Sequence, residues 1–341
     1  MTTPISTQLT KLFNITSPIV SAPMAFATTP ALVASVIDGG GLGFLAAGLE
    51  PTHKIAEALD QARAALSKDK QHLVGVGFLG WVLDKFNTEA DPRLITVLDK
   101  EPAAVWFAFG HNLGKYVAQV RAHDADHDHK TLVFITVNTV EEAVRAANRW
   151  KADVIVAQGE EAGGHASISS PPTEELLRLV LEAIPSGPPI LAAGGISTGT
   201  QIASLLAKGA AGVVLGTRFL FTNECMFTDE MKKVLVEAGP GSTTRNPAFD
   251  LAFDLLHPSN AWPRGIEARC VSNGVVADYE NGLSQADKKA HLLSGKEEYL
   301  LVWAGTGVKD LNKIESTADV MKSLHNETVV ALKASAPELL L

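Results

Sequence analysis

Short apolar runs rich in Val, Ile, Leu and Phe recur along the chain, and between them lie stretches whose apolar residues repeat at helical spacing. A run that is apolar at nearly every position suits a parallel strand covered on both faces, and the helical stretches suit crossover connections. Strands are predicted at 19–22, 42–45, 73–78, 104–108, 132–137, 154–157, 190–193 and 213–215. The helices between them are predicted at 30–38, 53–66, 91–100, 113–122, 140–149, 173–183 and 198–208. This alternation of strand and helix predicts an α/β fold, a closed (β/α)8 TIM barrel. Local signals agree: Thr29-Pro30 reads as an N-cap followed by a proline at the first helical position, and Gly209 sits where a helix ends. The segment 80–92, with Trp81 and Phe86 among polar residues, reads as a loop or a partial helix.

After Leu220 the texture changes. Residues 222–294 read as helical or irregular, with turn-prone Gly239-Pro240-Gly241 and His257-Pro258-Ser259-Asn260. The expected organisation is therefore a barrel over 1–221, a small and mostly helical second domain over 222–294 inserted after the last barrel strand, and a C-terminal segment over 295–341 that packs back on the barrel. In that last segment Tyr299 to Gly307 restores the apolar-then-glycine texture, and a final helix is predicted at 316–334.

Composition narrows the function. The chain has 341 residues, 46% hydrophobic and 20% charged, enough to bury a large core. Its net charge of -9 and the lack of any Lys/Arg run argue against a nucleic-acid partner. Only Cys225 and Cys270 are present, which suits a reducing compartment, although the sequence alone leaves a disulfide between them open. The N-terminal residues lack a basic start followed by an apolar block, and no apolar run is long enough to span a bilayer, so a cytoplasmic protein without membrane contact is expected. A homo-oligomer is compatible with all of this.

The chemistry gathers at strand ends. Ala157-Gln158-Gly159-Glu160-Glu161-Ala162-Gly163-Gly164-His165 follows the sixth strand, Gly194-Gly195-Ile196 the seventh and Gly216-Thr217-Arg218 the eighth. In a TIM barrel these C-terminal strand ends carry the reaction. Glycine-lined turns with free N–H groups cradle a phosphate, so Gly194, Gly195, Gly216 and Thr217 are expected to bind one. His165, whose imidazole accepts a proton near neutral pH, is expected to be the catalytic base. Glu160 and Glu161 read as solvated loop charges, and the cluster from His123 to His129 as a solvated turn on the opposite barrel face rather than a metal site.

The nonapeptide 157–165 resembles the AQGxEAGGH signature of the nitronate monooxygenases, formerly called 2-nitropropane dioxygenases, which are FMN-dependent TIM barrels. Ser21-Ala22-Pro23-Met24, Gly39-Gly40-Gly41-Leu42-Gly43, Ala192 to Ile196 and Gly216 to Leu220 are similar to other landmarks of that family, and the resemblance runs from about Pro18 to Glu224 with a fainter echo over Trp303 to Gly307. It implies that Ala22, Pro23, Met24, Gln158, Gly163 and Gly164 approach the flavin, and that an alkyl nitronate, or a nitroalkane deprotonated by His165, passes one electron to FMN to give a flavin semiquinone. Dioxygen then reacts, and a carbonyl compound and nitrite result. NAD(P)H-dependent quinone reductases in the same family carry an Asn on the third strand, a Lys on the fifth and an Asp in place of Gln158. This chain has Gly77 and Thr136 at the first two positions, which favours the nitronate-oxidising branch. The alternatives are an NAD(P)H-dependent quinone or enoyl reductase on the same flavin barrel, and a flavin-free phosphate-binding barrel acting as a lyase or isomerase.

Overall fold

Each of the eight predicted apolar runs is a strand in the computed structural model, which describes residues 3–257 and 262–341. The strands are β1 (Ile19–Ser21), β2 (Leu42–Ala47), β3 (Val74–Leu79), β4 (Ala104–Ala108), β5 (Leu132–Val137), β6 (Val154–Gln158), β7 (Gly164–Ser167), β8 (Ile190–Ala193), β9 (Gly212–Leu215), β10 (Thr243–Arg245) and β11 (Ile266–Val271). Eight of them close a parallel barrel in the order β1-β2-β3-β4-β5-β6-β8-β9, with Ile19 of β1 opposite Val213 of β9. β7 stands outside it. Together with β10 and β11 it forms a three-stranded sheet in the order β10-β11-β7.

The helices follow their local signals. Pro30–Asp38 begins where expected, with the Thr29 hydroxyl accepting from Leu32 N. Thr173–Ala183 also matches, and Gly209, at φ 101°, turns the chain out of Gly199–Ala207. The ambiguous segment after β3 is a short helix, Gly80–Phe86. The stretch predicted as one helix from 140 is α-helical over Val140–Val144 and continues as a wider π-turn over Arg145–Trp150. The turn predicted at 258–260 lies outside the described residues.

Inside the barrel the inward side chains change size from bottom to top. Near the N-terminal ends, Phe44, Trp106 and Phe134 meet ring to ring, with Phe44 5.0 Å from both others, and Phe13 from the helix Gln8–Phe13 closes the base 5.9 Å from Phe134. Gly75 makes room for this cluster, since a Cβ there would lie 2.5 Å from the Phe44 ring. Each such buried ring contributes about 1.5–3 kcal/mol. At the C-terminal ends the inward residues are small, and the space they leave is the site described below.

Between residues 222 and 294 the described chain forms the helices Asp229–Glu237, Ala248–Leu256, Gly274–Glu280 and Gln285–Leu292 besides β10 and β11. Ala248, Phe249, Ala252, Ala268, Cys270 and Val275 form a small core of their own. The final helix, Thr317–Ser335, lies against Gly199–Ala207, where Glu327 accepts from Gly199 N at 3.0 Å. Both cysteines are buried and free. Among the described residues no helix is long and apolar enough to cross a membrane.

Candidate active site

A cavity of about 270 Å³ opens at the C-terminal end of the barrel. One inward residue from or just beyond each strand forms its floor: Ala22, Ala46, Gly77, Ala108, Thr136, Gln158, Ala193 and Val214. All eleven residues assigned to the site from sequence line this one cavity: Ala22, Pro23, Met24, Gln158, Gly163, Gly164, His165, Gly194, Gly195, Gly216 and Thr217.

The glycines differ in what demands them. Gly194 and Gly195 have φ of 119° and 70°, a region that L side chains avoid. Gly163 is a packing glycine, because a Cβ would lie 2.4 Å from Gly305 N. Gly216 has no such reason: its φ is -105° and a Cβ would meet only Met24 Sδ at 3.6 Å and Ala22 Cβ at 3.9 Å. Its bareness faces the cavity. The N–H groups of Gly195, Ile196 and Gly216 have no acceptor among the described residues, so they remain available to an anion. The Thr217 hydroxyl accepts from Gly305 N at 2.8 Å and keeps its own hydrogen to donate. Arg218 turns away and pairs with Glu315 at 3.1 Å.

Across the floor, Met24 N is tied to the Thr28 hydroxyl at 3.0 Å, which holds the Ala22-Pro23-Met24 turn. Gly77 leaves room for the Pro23 ring, whose carbons would lie 2.4 Å from a Cβ at 77. Thr136 Oγ1 accepts from the Trp106 indole at 2.7 Å. Asn138 donates to Gln158 Oε1 at 3.2 Å and to its carbonyl at 2.8 Å, which fixes the amide with its NH2 group left over.

His165 does not sit in the loop crowning β6, as its sequence position suggests. It lies on β7, opposite Ala268 of β11. The partner strand is about a hundred residues away in sequence, which no local pattern reports. His165 Nε2 lies 2.6 Å from Asp250 Oδ1, on the helix Ala248–Leu256, and its ring stacks on Trp262 with centroids 3.4 Å apart and planes at 11°. The two side chains are 13% and 17% exposed. Burial lowers the His165 pKa below the usual histidine value of about 6.5, the Asp250 carboxylate pulls it up, and Arg245 pushes it down. Because the carboxylate accepts, Nε2 carries the hydrogen and Nδ1 holds the lone pair.

Two arginines of the outer sheet hold the nonapeptide in place. Arg245 donates to the carbonyls of Glu160, Ala162, Gly164 and Glu267, and Arg269 donates to the Glu160 carbonyl. Burial lowers the Arg245 pKa to about 10, which leaves it charged at neutral pH.

Two sequence readings need correction. Glu161 is not a solvated charge: it is half-buried, and its Oε2 accepts from Thr173 N and Oγ1 at the start of the following helix. The His123 cluster is not a solvated turn either. His123 and Asp124 are buried in the last turns of the helix Gly114–His127, where His123 Nε2 meets Asp99 Oδ1 at 2.9 Å and Asp124 accepts from Thr131. The polar texture masked these contacts, since hydrogen-bonded partners let such residues go inside. Asp250, Arg245, Asn138 and Trp262 were not expected at the site, and only the N-terminal position of Asp250 in a predictable amphipathic helix offered any signal.

The family model of nitronate monooxygenase matches residues 6–74 and 81–327. The nitronate monooxygenase npaC of Metarhizium robertsii is 29% identical over 333 residues, spanning 91% of this chain and 90% of that protein. Nitroalkane oxidase from Streptomyces ansochromogenes superposes with a TM-score of 0.76 at 28% identity, covering 96% of this chain and 100% of that one. FabK from Thermotoga maritima, at 24% identity and a TM-score of 0.77 over 96% of this chain and 98% of its own, shares the fold. With the barrel, the cavity at its mouth and the family model all in agreement, the chain belongs to the nitronate monooxygenase family of oxidoreductases.

Proposed function

We propose that this enzyme uses FMN and dioxygen to oxidise alkyl nitronates, formed in place from nitroalkanes, to a carbonyl compound and nitrite. The observation that carries the reading is the His165–Asp250 pair, 2.6 Å apart, facing a mostly apolar cavity. A base held in that way suits the removal of a weakly acidic C–H proton.

What supports FMN is the fit of the opposite side. Gly195, Ile196 and Gly216 offer N–H groups without acceptors among the described residues, Thr217 offers a hydroxyl, and Gly216 lacks a side chain at the cavity edge. These residues would hold the phosphate, while Ala22, Pro23, Met24, Gln158, Gly163 and Gly164 would border the ring. FMN, once bound, supplies the electron chemistry with dioxygen. The buried free thiols Cys225 and Cys270 suit the cytoplasm as its setting.

The side chains do the rest. His165 Nδ1 takes the proton from the carbon that bears the nitro group, and the electron pair stays behind, spread over the nitro oxygens. The imidazolium that forms lies between the Asp250 carboxylate and the new nitronate, so the two negative groups share one cation. Apolar walls keep water away from the base.

The test is aerobic turnover of nitroethane and of pre-ionised ethylnitronate, followed by oxygen uptake and nitrite, for wild type and His165→Asn. The wild type is expected to oxidise both. The variant should lose about 10²-fold or more in kcat/KM with nitroethane and far less with the nitronate. Equal losses would remove proton abstraction from the role of His165.

A further inference from the structure

Aromatic rings make up the wall beside His165. Trp262 stacks on the imidazole, Trp81 and Phe109 meet Trp262 edge-on at 5.3 and 5.5 Å, and Trp303 lies tilted 5.6 Å from His165. The wall continues through Phe253 to Phe26 at 6.0 Å. Two of these residues are held in backbone conformations that side chains rarely adopt, Phe26 at φ 62° and Phe109 at φ 57°. Phe26 is 46% exposed, so its own burial does not offset that strain. Strain of this kind clusters at ligand sites, and both rings line the cavity.

Charge gives a second, independent observation. Among the described lining residues there is no Lys or Arg, and Asp250 is the one carboxylate. Arg245, whose charge reaches His165, spends its guanidinium on backbone carbonyls. An anionic substituent close to the reacting carbon would thus be stripped of water among aromatic rings, beside a carboxylate and with no cation among the described lining residues to pair.

From these two observations we infer that the cavity selects a neutral nitro compound with a bulky apolar skeleton, an arylalkyl one above all, and rejects nitro compounds that carry a carboxylate near the nitro group. Identifying the nitro group as the reacting one rests on the function proposed above. The preference for an apolar, uncharged body rests on the wall and the charge of the lining, not on that function. Aromatic rings pack against the wall by offset or edge contacts, and a small nitroalkane leaves most of it uncovered.

Two measurements on the flavin-loaded protein test this separately. The first is calorimetric binding of nitrobenzene and 3-nitrobenzoate, neither of which has a hydrogen on the nitro-bearing carbon to lose. Nitrobenzene should bind at least about tenfold more tightly, and equal or tighter binding of 3-nitrobenzoate would overturn the inference. The second is kcat/KM from nitrite release with 1-nitro-2-phenylethane, nitroethane and 3-nitropropionate, expected to fall in that order. Phe26→Ala, at an exposed position, and Trp81→Ala, checked by its melting curve, should each lower the ratio of phenylethane to ethane substrate by about tenfold. An unchanged ratio in Phe26→Ala, or a preference for 3-nitropropionate, would sink the assigned role of the wall. If no nitro compound turns over while nitrobenzene still binds selectively, the oxidation reading fails and the ligand class stands.

Discussion

Asp250 gives the two nitrogens of His165 different tasks. Nε2 is committed to the carboxylate, which orients the ring and leaves Nδ1 as the only basic position. Burial keeps the imidazole neutral below its usual pKa, so kcat/KM on nitroethane is expected to hold steady down to about pH 6.5 and to fall only in more acid solution. Asp250→Asn removes the contribution that raises the pKa and the charge that stabilises the imidazolium. We expect its plateau to drop about 10²-fold on nitroethane while the acid limb of the profile moves to lower pH. An acid limb that moves upward would show that Asp250 does not act on the base. Nothing near His165 in sequence announces this partner, which lies 85 residues away.

At the scale of elements, the outer sheet anchors the segment 158–165 to the barrel. β7 carries His165, β11 pairs with it, and Arg245 on β10 gathers the carbonyls of residues 160, 162 and 164. Arg245→Ala would leave partly buried carbonyls without donors, at a cost of about 1–3 kcal/mol. Urea unfolding should register that loss, and Arg245→Lys should not restore it, because an ammonium cannot span the fork of acceptors. Full stability in the lysine variant would reduce the guanidinium to a bystander. Helices such as Pro30–Asp38 and Thr173–Ala183 were legible because their caps and apolar spacing are local. β7, β10 and β11 were not: β7 and β10 are only four and three residues long, and all three carry polar residues in positions that only the pairing makes sense of.

For the molecule as a whole, two histidines link stability to pH. Burial lowers the pKa of both His165 and His325 in the folded state. As pH falls below about 6.5 the unfolded chain takes up protons that these buried rings resist, so stability is lost from there downward through their folded values. The melting temperature should therefore decline between pH 7 and pH 5.5, and His325→Gln, which is remote from the cavity, should make that decline shallower. A variant as steep as the wild type would place the dependence elsewhere.

The sequence by itself determined the barrel and the rim of its mouth. Strand burial, helix caps and the positive φ of Gly194 and Gly195 are short-range matters, settled by a residue and its near neighbours. Tertiary structure alone decided who stands beside His165. Asp250, Arg245, Trp262 and the aromatic wall come from segments scattered between residues 26 and 303, and what joins them is the register of a small sheet and the closure of the barrel. Those are set by the packing of the whole chain, so the chemistry of the imidazole and the character of its pocket became visible only once the strands had found their partners.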